Sequence, residues 1–176
     1  MEGSRNALLL RIEEILTTWT ETGVPARATL HEIADGIIKW RDEAGIPGLW
    51  ETPPLMVGAT LDDGWGHGIQ LILKFAEAMG VTTKFLGVLQ PLEKIVATCR
   101  ECQPDYLGLT VLQLDTEDDL AELRRHLPET IKIIAGGPVF KIDPELAERV
   151  GIDLVAKDAG AFMRLLLNTV KRKFKT

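Results

Sequence analysis

Through the N-terminal part of the chain, apolar residues recur at intervals of three and four. Leu8, Leu9, Ile12, Ile15, Leu16 and Trp19 share one face of a helix predicted from about Ser4, a capping residue, to Gly23. A second helix is predicted from Thr29 to about Glu43, where Leu30, Ile33, Ile37, Ile38 and Trp40 favour one side and Gly45-Ile46-Pro47-Gly48 ends the pattern. Two helices cannot bury both stripes completely against each other. They are therefore expected to pack on the following domain or on a second copy of the chain. Residues 45 to 54, rich in glycine and proline and carrying a Trp50 expected to be exposed, read as a linker. The expected division is a helical segment over 1–50, serving as a cap or for dimerisation, and an α/β domain over 51–176.

From Leu55 onward the pattern changes to short apolar runs alternating with amphipathic stretches. Strands are predicted at about 55–60, 82–88, 106–111, 131–135 and 153–156, and helices at about 67–79, 91–102, 117–126, 144–150 and 160–173. Five strand-then-helix units with short connections imply right-handed crossovers and a parallel sheet covered on both faces. The expected fold class is α/β, Rossmann-like and specifically flavodoxin-like, with a five-stranded parallel sheet in the order 2-1-3-4-5 after a short two-helix segment. Ligands of such sheets bind beyond the C-terminal strand ends, at the switch point between the first and third strands.

Three loops are predicted to meet at that point: Leu61 to Gly68, Thr110 to Thr116, and Gly136-Gly137-Pro138. Their glycines admit close backbone approach, and Asp63 and Thr110 place short polar groups beside an apolar slot. The motifs read Asp63-Gly64-Trp65-Gly66-His67-Gly68, then Thr110-Val111-Leu112, then Gly136-Gly137. In order and spacing they resemble the D-x-H-x-x-G, S-x-L and G-G motifs of the cobalamin-binding domain found in corrinoid-dependent methyltransferases and mutases. Met56-Val57-Gly58-Ala59-Thr60, Leu86-Gly87-Val88-Leu89-Gln90-Pro91 and Ala156-Lys157-Asp158-Ala159 extend the resemblance over about residues 55 to 172.

The resemblance implies a cobalamin or another corrinoid whose nucleotide tail enters the slot. Thr110 would keep the hydroxyl that bonds the displaced benzimidazole, Gly136 and Gly137 would leave room for the tail's sugar and phosphate, and Gly68 would let the first helix start close to it. The family's Asp63 counterpart holds an axial histidine by hydrogen bonding; here Trp65 stands where that histidine would be. An indole offers a donor N–H and no free nitrogen lone pair, so Trp65 cannot ligate cobalt. Two arrangements stay open: Trp65 lies flat under the corrin as an apolar floor, leaving the cofactor base-off without a protein axial histidine, or its bulk fills the space where a corrin would dock. At a helix start His67 reads as a solvent-facing or capping residue; it is the remaining metal-ligand alternative, which requires a rearranged loop.

Composition narrows the function further. Twenty basic against 26 acidic residues give a net charge of -6, which disfavours a broad nucleic-acid footprint. The basic run Lys171-Arg172-Lys173-Phe174-Lys175 reads as a solvated helix end. No apolar run approaches the roughly 20 residues that cross a bilayer, so no membrane partner is expected. The N-terminus lacks the layout of a signal peptide, and a cytoplasmic protein is expected. Cys99 and Cys102 form a lone C-x-x-C without a second ligand pair, read as packing with a redox dithiol as the alternative.

A receiver domain would need an aspartate where Thr110-Val111-Leu112 stands, and a dinucleotide site would need G-x-G-x-x-G. No nucleophile-and-base set converges on the crevice, which argues against an enzyme acting alone. The function expected is a corrinoid carrier or accessory subunit for methyl transfer or corrinoid handling. Its partners would be a methyltransferase or a corrinoid-activating protein, with a homodimer as a further arrangement. The alternative is a relative that binds no ligand, or senses a tetrapyrrole such as haem, and acts as a regulatory or interaction module.

Overall fold

The computed structural model describes residues 2–173; Phe174 to Thr176, the end of the basic run, lie outside them. Helices α1 (Glu2–Thr22) and α2 (Arg27–Glu43) come first. The remainder alternates: β1 (Leu55–Thr60), α3 (His67–Met79), β2 (Thr82–Gly87), α4 (Leu92–Cys102), β3 (Tyr106–Thr110), a short 3-10 turn (Leu114–Thr116), α5 (Glu117–His126) and β4 (Lys132–Gly136). Two four-residue helices, α6 (Val139–Ile142) and α7 (Leu146–Arg149), lead to β5 (Leu154–Val155) and α8 (Ala159–Lys173). All strand pairs are parallel and the order is β2-β1-β3-β4-β5, as expected for the flavodoxin-like class.

Several boundaries differ from the sequence reading. Ser4 lies within α1, and α2 begins at Arg27, because Ala26 already adopts the extended conformation that precedes a helix. One helix was expected over 144–150; instead α6 follows Pro138, whose ring suits a first helical turn, and α7 is only Leu146–Arg149. Trp50 is 5% exposed rather than exposed. The reason is tertiary. Gly48 and Gly80, both with positive φ, bring their backbones together, a Cβ on Gly48 would stand 2.6 Å from the Gly80 Cα, and the Leu49 amide bonds the Met79 carbonyl at 2.9 Å. The stretch that reads as a linker is thus docked against the end of α3.

Strand alternation divides the core into two apolar layers. Val57, Ala59, Leu107, Leu109, Ile133 and Ala135 face α4 and α5. Met56, Tyr106 and Ile134 face α3 and α8, and this second layer continues without a break into Leu8, Ile12, Leu16 and Trp19 of α1 and Leu30, Ala34 and Ile37 of α2. Burial of each large side chain in that extension stabilises by on the order of 2 kcal/mol. Trp19 meets Phe75 edge-on at 5.8 Å between ring centroids, so it packs inside the helix-to-domain interface. Arg164 bonds the Leu16 carbonyl at 3.0 Å and the Thr20 hydroxyl at 2.7 Å, and Lys74 pairs with Asp35 at 2.7 Å. These polar contacts fix both helices laterally on α8 and α3.

Cys99 is fully buried, and its thiol is pushed up to about 12 by burial, with the neighbouring Cys102 adding to it. Cys102 donates to the Thr98 carbonyl. The pair therefore serves packing, since a buried thiol held protonated is a poor nucleophile. No helix among the described residues is long and apolar enough to cross a membrane.

On the far side of the sheet, Arg149 pairs with Glu117 at 2.9 Å and Asp143 at 2.6 Å, and its guanidinium holds both carboxyls below their ordinary range. A depressed carboxylate contributes stability above its unfolded pKa and loses it as pH falls through the folded value. The melting temperature of the parent protein should therefore drop more steeply below about pH 4 than that of Arg149→Ala; parallel acid profiles would show that the clasp adds nothing. Gly80→Ala, which places a Cβ against Gly48 at a φ of +98°, should cost about 2 kcal/mol or more in denaturant unfolding.

Candidate functional site

Register places the site residues on one level of the sheet. Thr60 pairs with Thr110 and Thr110 with Gly136, so the ends of β1, β3 and β4 form a single edge. Below that edge the sheet face toward α3 is cleared of side chains. A Cβ at Gly58 would meet the Leu73 side chain at 2.7 Å, and one at Gly108 would meet Ile69 at 3.1 Å and the Met56 methyl. Helix α3 therefore lies close to the strands, and its second residue, Gly68, would carry a Cβ 3.3 Å from Thr110 Oγ1.

Between this face, α3 and α8 opens a cavity of about 490 Å³. Ile69, Leu71, Ile72, Ile134 and Phe162 supply apolar wall, while Asp63, Trp65, His67, Gly68, Thr110, Leu112, Gly136 and Gly137 stand along it. Gly64, Gly66 and Val111 were also expected at the site and do not line it. Val111 is fully buried, with its side chain in the opposite layer. Its backbone explains a neighbour instead: a Cβ on Gly137, at φ +127°, would run into the Val111 carbonyl oxygen. A Cβ on Gly136 would stand 2.8 Å from the Ala156 carbonyl oxygen. Both glycines are required by close loop packing before any ligand is considered.

The loop after β1 is held from within. Asp63, 5% exposed, accepts the Trp65 amide at 2.8 Å and the Gly66 amide at 3.1 Å on one carboxylate oxygen. The Thr60 hydroxyl donates to the Asp63 carbonyl and accepts the Leu89 amide, so the β2 loop is joined to the same turn. Gly66 closes the turn at φ +66°, where a Cβ would meet Val88 at 2.6 Å. Asp62 accepts the amides of Leu112 at 2.9 Å and Gln113 at 2.7 Å, which joins the β1 loop to the β3 loop.

Trp65 projects from this turn with 77% of its surface exposed, its ring stacked on His67 at 6.0 Å and 20°. It lines the cavity with most of its surface exposed. His67 opens α3 at an exposed position. Among the described residues no group of three or more His, Cys, Asp or Glu side chains is placed to hold a metal ion.

Residues missed by the sequence reading complete the walls. Val24, Arg27 and Leu30 reach the cavity from the α1–α2 connection and α2, and Lys157 and Asp158 reach it from the loop before α8. Lys157 and Asp158 fall within the quoted Ala156-Lys157-Asp158-Ala159 stretch, but nothing in the local pattern indicates that α2 borders the site. That placement follows from burial of its stripe on α3.

Residues 55–166 match the family model described as B12 binding domain. The ethylmalonyl-CoA mutase of Methylorubrum extorquens is 28% identical over 111 residues, which cover 61% of this chain and only 16% of the mutase. Among solved structures, a cobalamin-binding protein from Desulfitobacterium hafniense DCB-2 superposes with a TM-score of 0.74 at 19% identity, over 93% of this chain and 83% of that one. The methanol:cobalamin methyltransferase complex of Methanosarcina barkeri gives 0.70 at 16% identity, over 96% of this chain and 66% of that one. The monomethylamine corrinoid protein of the same organism gives 0.62 at 16% identity, over 92% and 80%. The family match lends no support to haem.

Asp63→Ala should lower the unfolding free energy by about 1–3 kcal/mol, since the buried Gly66 amide would lose its acceptor. An unchanged denaturant midpoint would show that the loop does not depend on this carboxylate.

Proposed function

The chain belongs to the B12-binding domain family, and on that premise we propose that it carries a corrinoid by its nucleotide tail, base-off, with no histidine of its own on the cobalt. The observation that carries this reading is the apolar cavity beside Thr110, lined by a Trp65 with most of its surface exposed.

The residues present fit the group. The cavity of about 490 Å³ lies between the sheet face and two helices, with apolar side chains along its length and Thr110 on its wall. An elongated nucleotide tail needs this combination of apolar wall and a few polar groups. Leu71, Ile134 and Phe162 would enclose the tail's base and exclude water from it. The Thr110 hydroxyl would bond a ring nitrogen of that base.

A bound corrinoid supplies a cobalt that accepts and donates one-carbon groups. Trp65, exposed and unable to ligate, would lie beneath the macrocycle as an apolar floor. In this reading Asp63 no longer orients a metal-binding histidine. Its carboxylate holds the amides of Trp65 and Gly66, and so sets the height and direction of the indole. The chain would present its cofactor to a methyltransferase or a corrinoid-activating protein. Membership of the family supports a carrier or accessory subunit.

Mixing the purified protein with hydroxocobalamin and desalting should leave a retained corrinoid chromophore with a base-off spectrum. The Trp65→His variant should shift that spectrum toward a histidine-ligated form, while His67→Ala should leave it unchanged. Loss of all chromophore on desalting would sink the carrier reading and favour an interaction module. An unmoved Trp65→His spectrum would show that position 65 does not lie beneath the cobalt.

A further inference from the structure

We propose that Arg27 and Lys157 form a charged clamp on the phosphodiester of the corrinoid's nucleotide tail, so that the N-terminal helical segment takes part in cofactor selection. This rests on the corrinoid reading above and assigns a role to two residues that the tail-binding motifs do not include. Arg27 also lies outside residues 55–166, the span of the family match.

Both side chains line the cavity from opposite parts of the chain, Arg27 at the first residue of α2 and Lys157 in the loop between β5 and α8. Both are exposed. Neither makes an ion pair or a side-chain hydrogen bond with another described residue, whereas Arg5, Lys74, Arg124, Lys132, Arg149 and Lys171 all do.

The carboxylates of the same cavity, Asp63 and Asp158, keep their charge but form no ion pair with either cation among the described residues; their oxygens are held by backbone amides. Asp63 spends an oxygen on the Trp65 and Gly66 amides. Asp158 spends an oxygen on the Ala161 amide, at 2.7 Å, where it caps α8. With both cations free of an ion-pair partner among the described residues and the remaining wall mostly apolar, an entering group with one apolar part and one negative part is complemented at both. A nucleotide tail has that composition: an aromatic base for the inner wall and a phosphodiester for the two cations. A guanidinium is well suited to the phosphate oxygens because it can present two parallel donors.

A corrinoid without the tail would meet the Trp65 side of the mouth only and would gain nothing from Arg27 or Lys157. Tail-bearing corrinoids should thus be selected over tail-less ones. Arg27 makes the α1–α2 segment part of that selection.

The test compares cobalamin with cobinamide, the same macrocycle without its nucleotide tail, measuring affinity from the chromophore retained at equilibrium. The parent protein should hold cobalamin more tightly. Arg27→Ala and Lys157→Ala should each weaken cobalamin by about fivefold, as expected for one exposed ion pair, and leave cobinamide unchanged. Arg27→Lys should recover part of the loss. Added salt should narrow the parent's preference but not that of the double variant. The proposal is overturned if the variants keep the parent's affinity for cobalamin, if they lose both ligands equally, or if the parent holds both equally well. Retention of neither ligand by the parent protein is a different outcome, which overturns the corrinoid reading itself.

Discussion

The close approach of α3 to the centre of the sheet is the constraint on which the rest of the structure depends. Gly58 and Gly108, paired across β1 and β3, remove side chains where Leu73, Ile69 and Met56 already fill the space. With α3 drawn in, its N-terminus meets Thr110, and the loop from β1 must turn within a few residues to enter it. The cavity is what remains between this helix, α8 and the strand ends. A side chain at Gly58 or Gly108 would push the helix outward and change the slot as well as the core, because interiors at native packing density have no spare volume to absorb it.

The N-terminal helices follow from the same packing. Their stripes extend the apolar layer over α3 and α8, and Trp19 against Phe75 marks the centre of that contact. The docking of Gly48 on Gly80 and the Arg164 bonds to α1 hold the helices along the flank of the domain. One consequence is positional: the start of α2 reaches the cavity, although nearly all of α2 is occupied with burying its stripe.

The β1–α3 loop is organised by one carboxylate. Asp63 is nearly buried and has two backbone donors, which satisfy it without a histidine. Asp62 and Thr60 join the same loop to those after β3 and β2, so the three strand ends are connected by hydrogen bonds to short side chains. Trp65 then points outward from a rigid turn, which is the condition for a large aromatic surface to act as a platform.

Alternation of apolar positions was enough to determine most element types, because periodicities of about two and 3.6 residues are local properties of strands and helices, and the succession of five strand-then-helix units implied the parallel sheet and suggested its order. Order and spacing of Asp63, Thr110 and Gly136-Gly137 were likewise enough to indicate which loops border one cavity, since parallel strands carry their loops to one edge. Local pattern could not reveal that Trp50 is buried, since residues 45–54 look like a linker until Gly48 meets Gly80. Nor could it separate Val111 from the site residues that flank it, separate the glycines needed for backbone packing from those facing the slot, or bring Arg27 to the same cavity as Lys157, more than a hundred residues away in the chain. Those outcomes depend on which surfaces meet across large sequence separations. They were decided by the tertiary structure, where side-chain volume and backbone clearance, instead of residue type, determine the contacts.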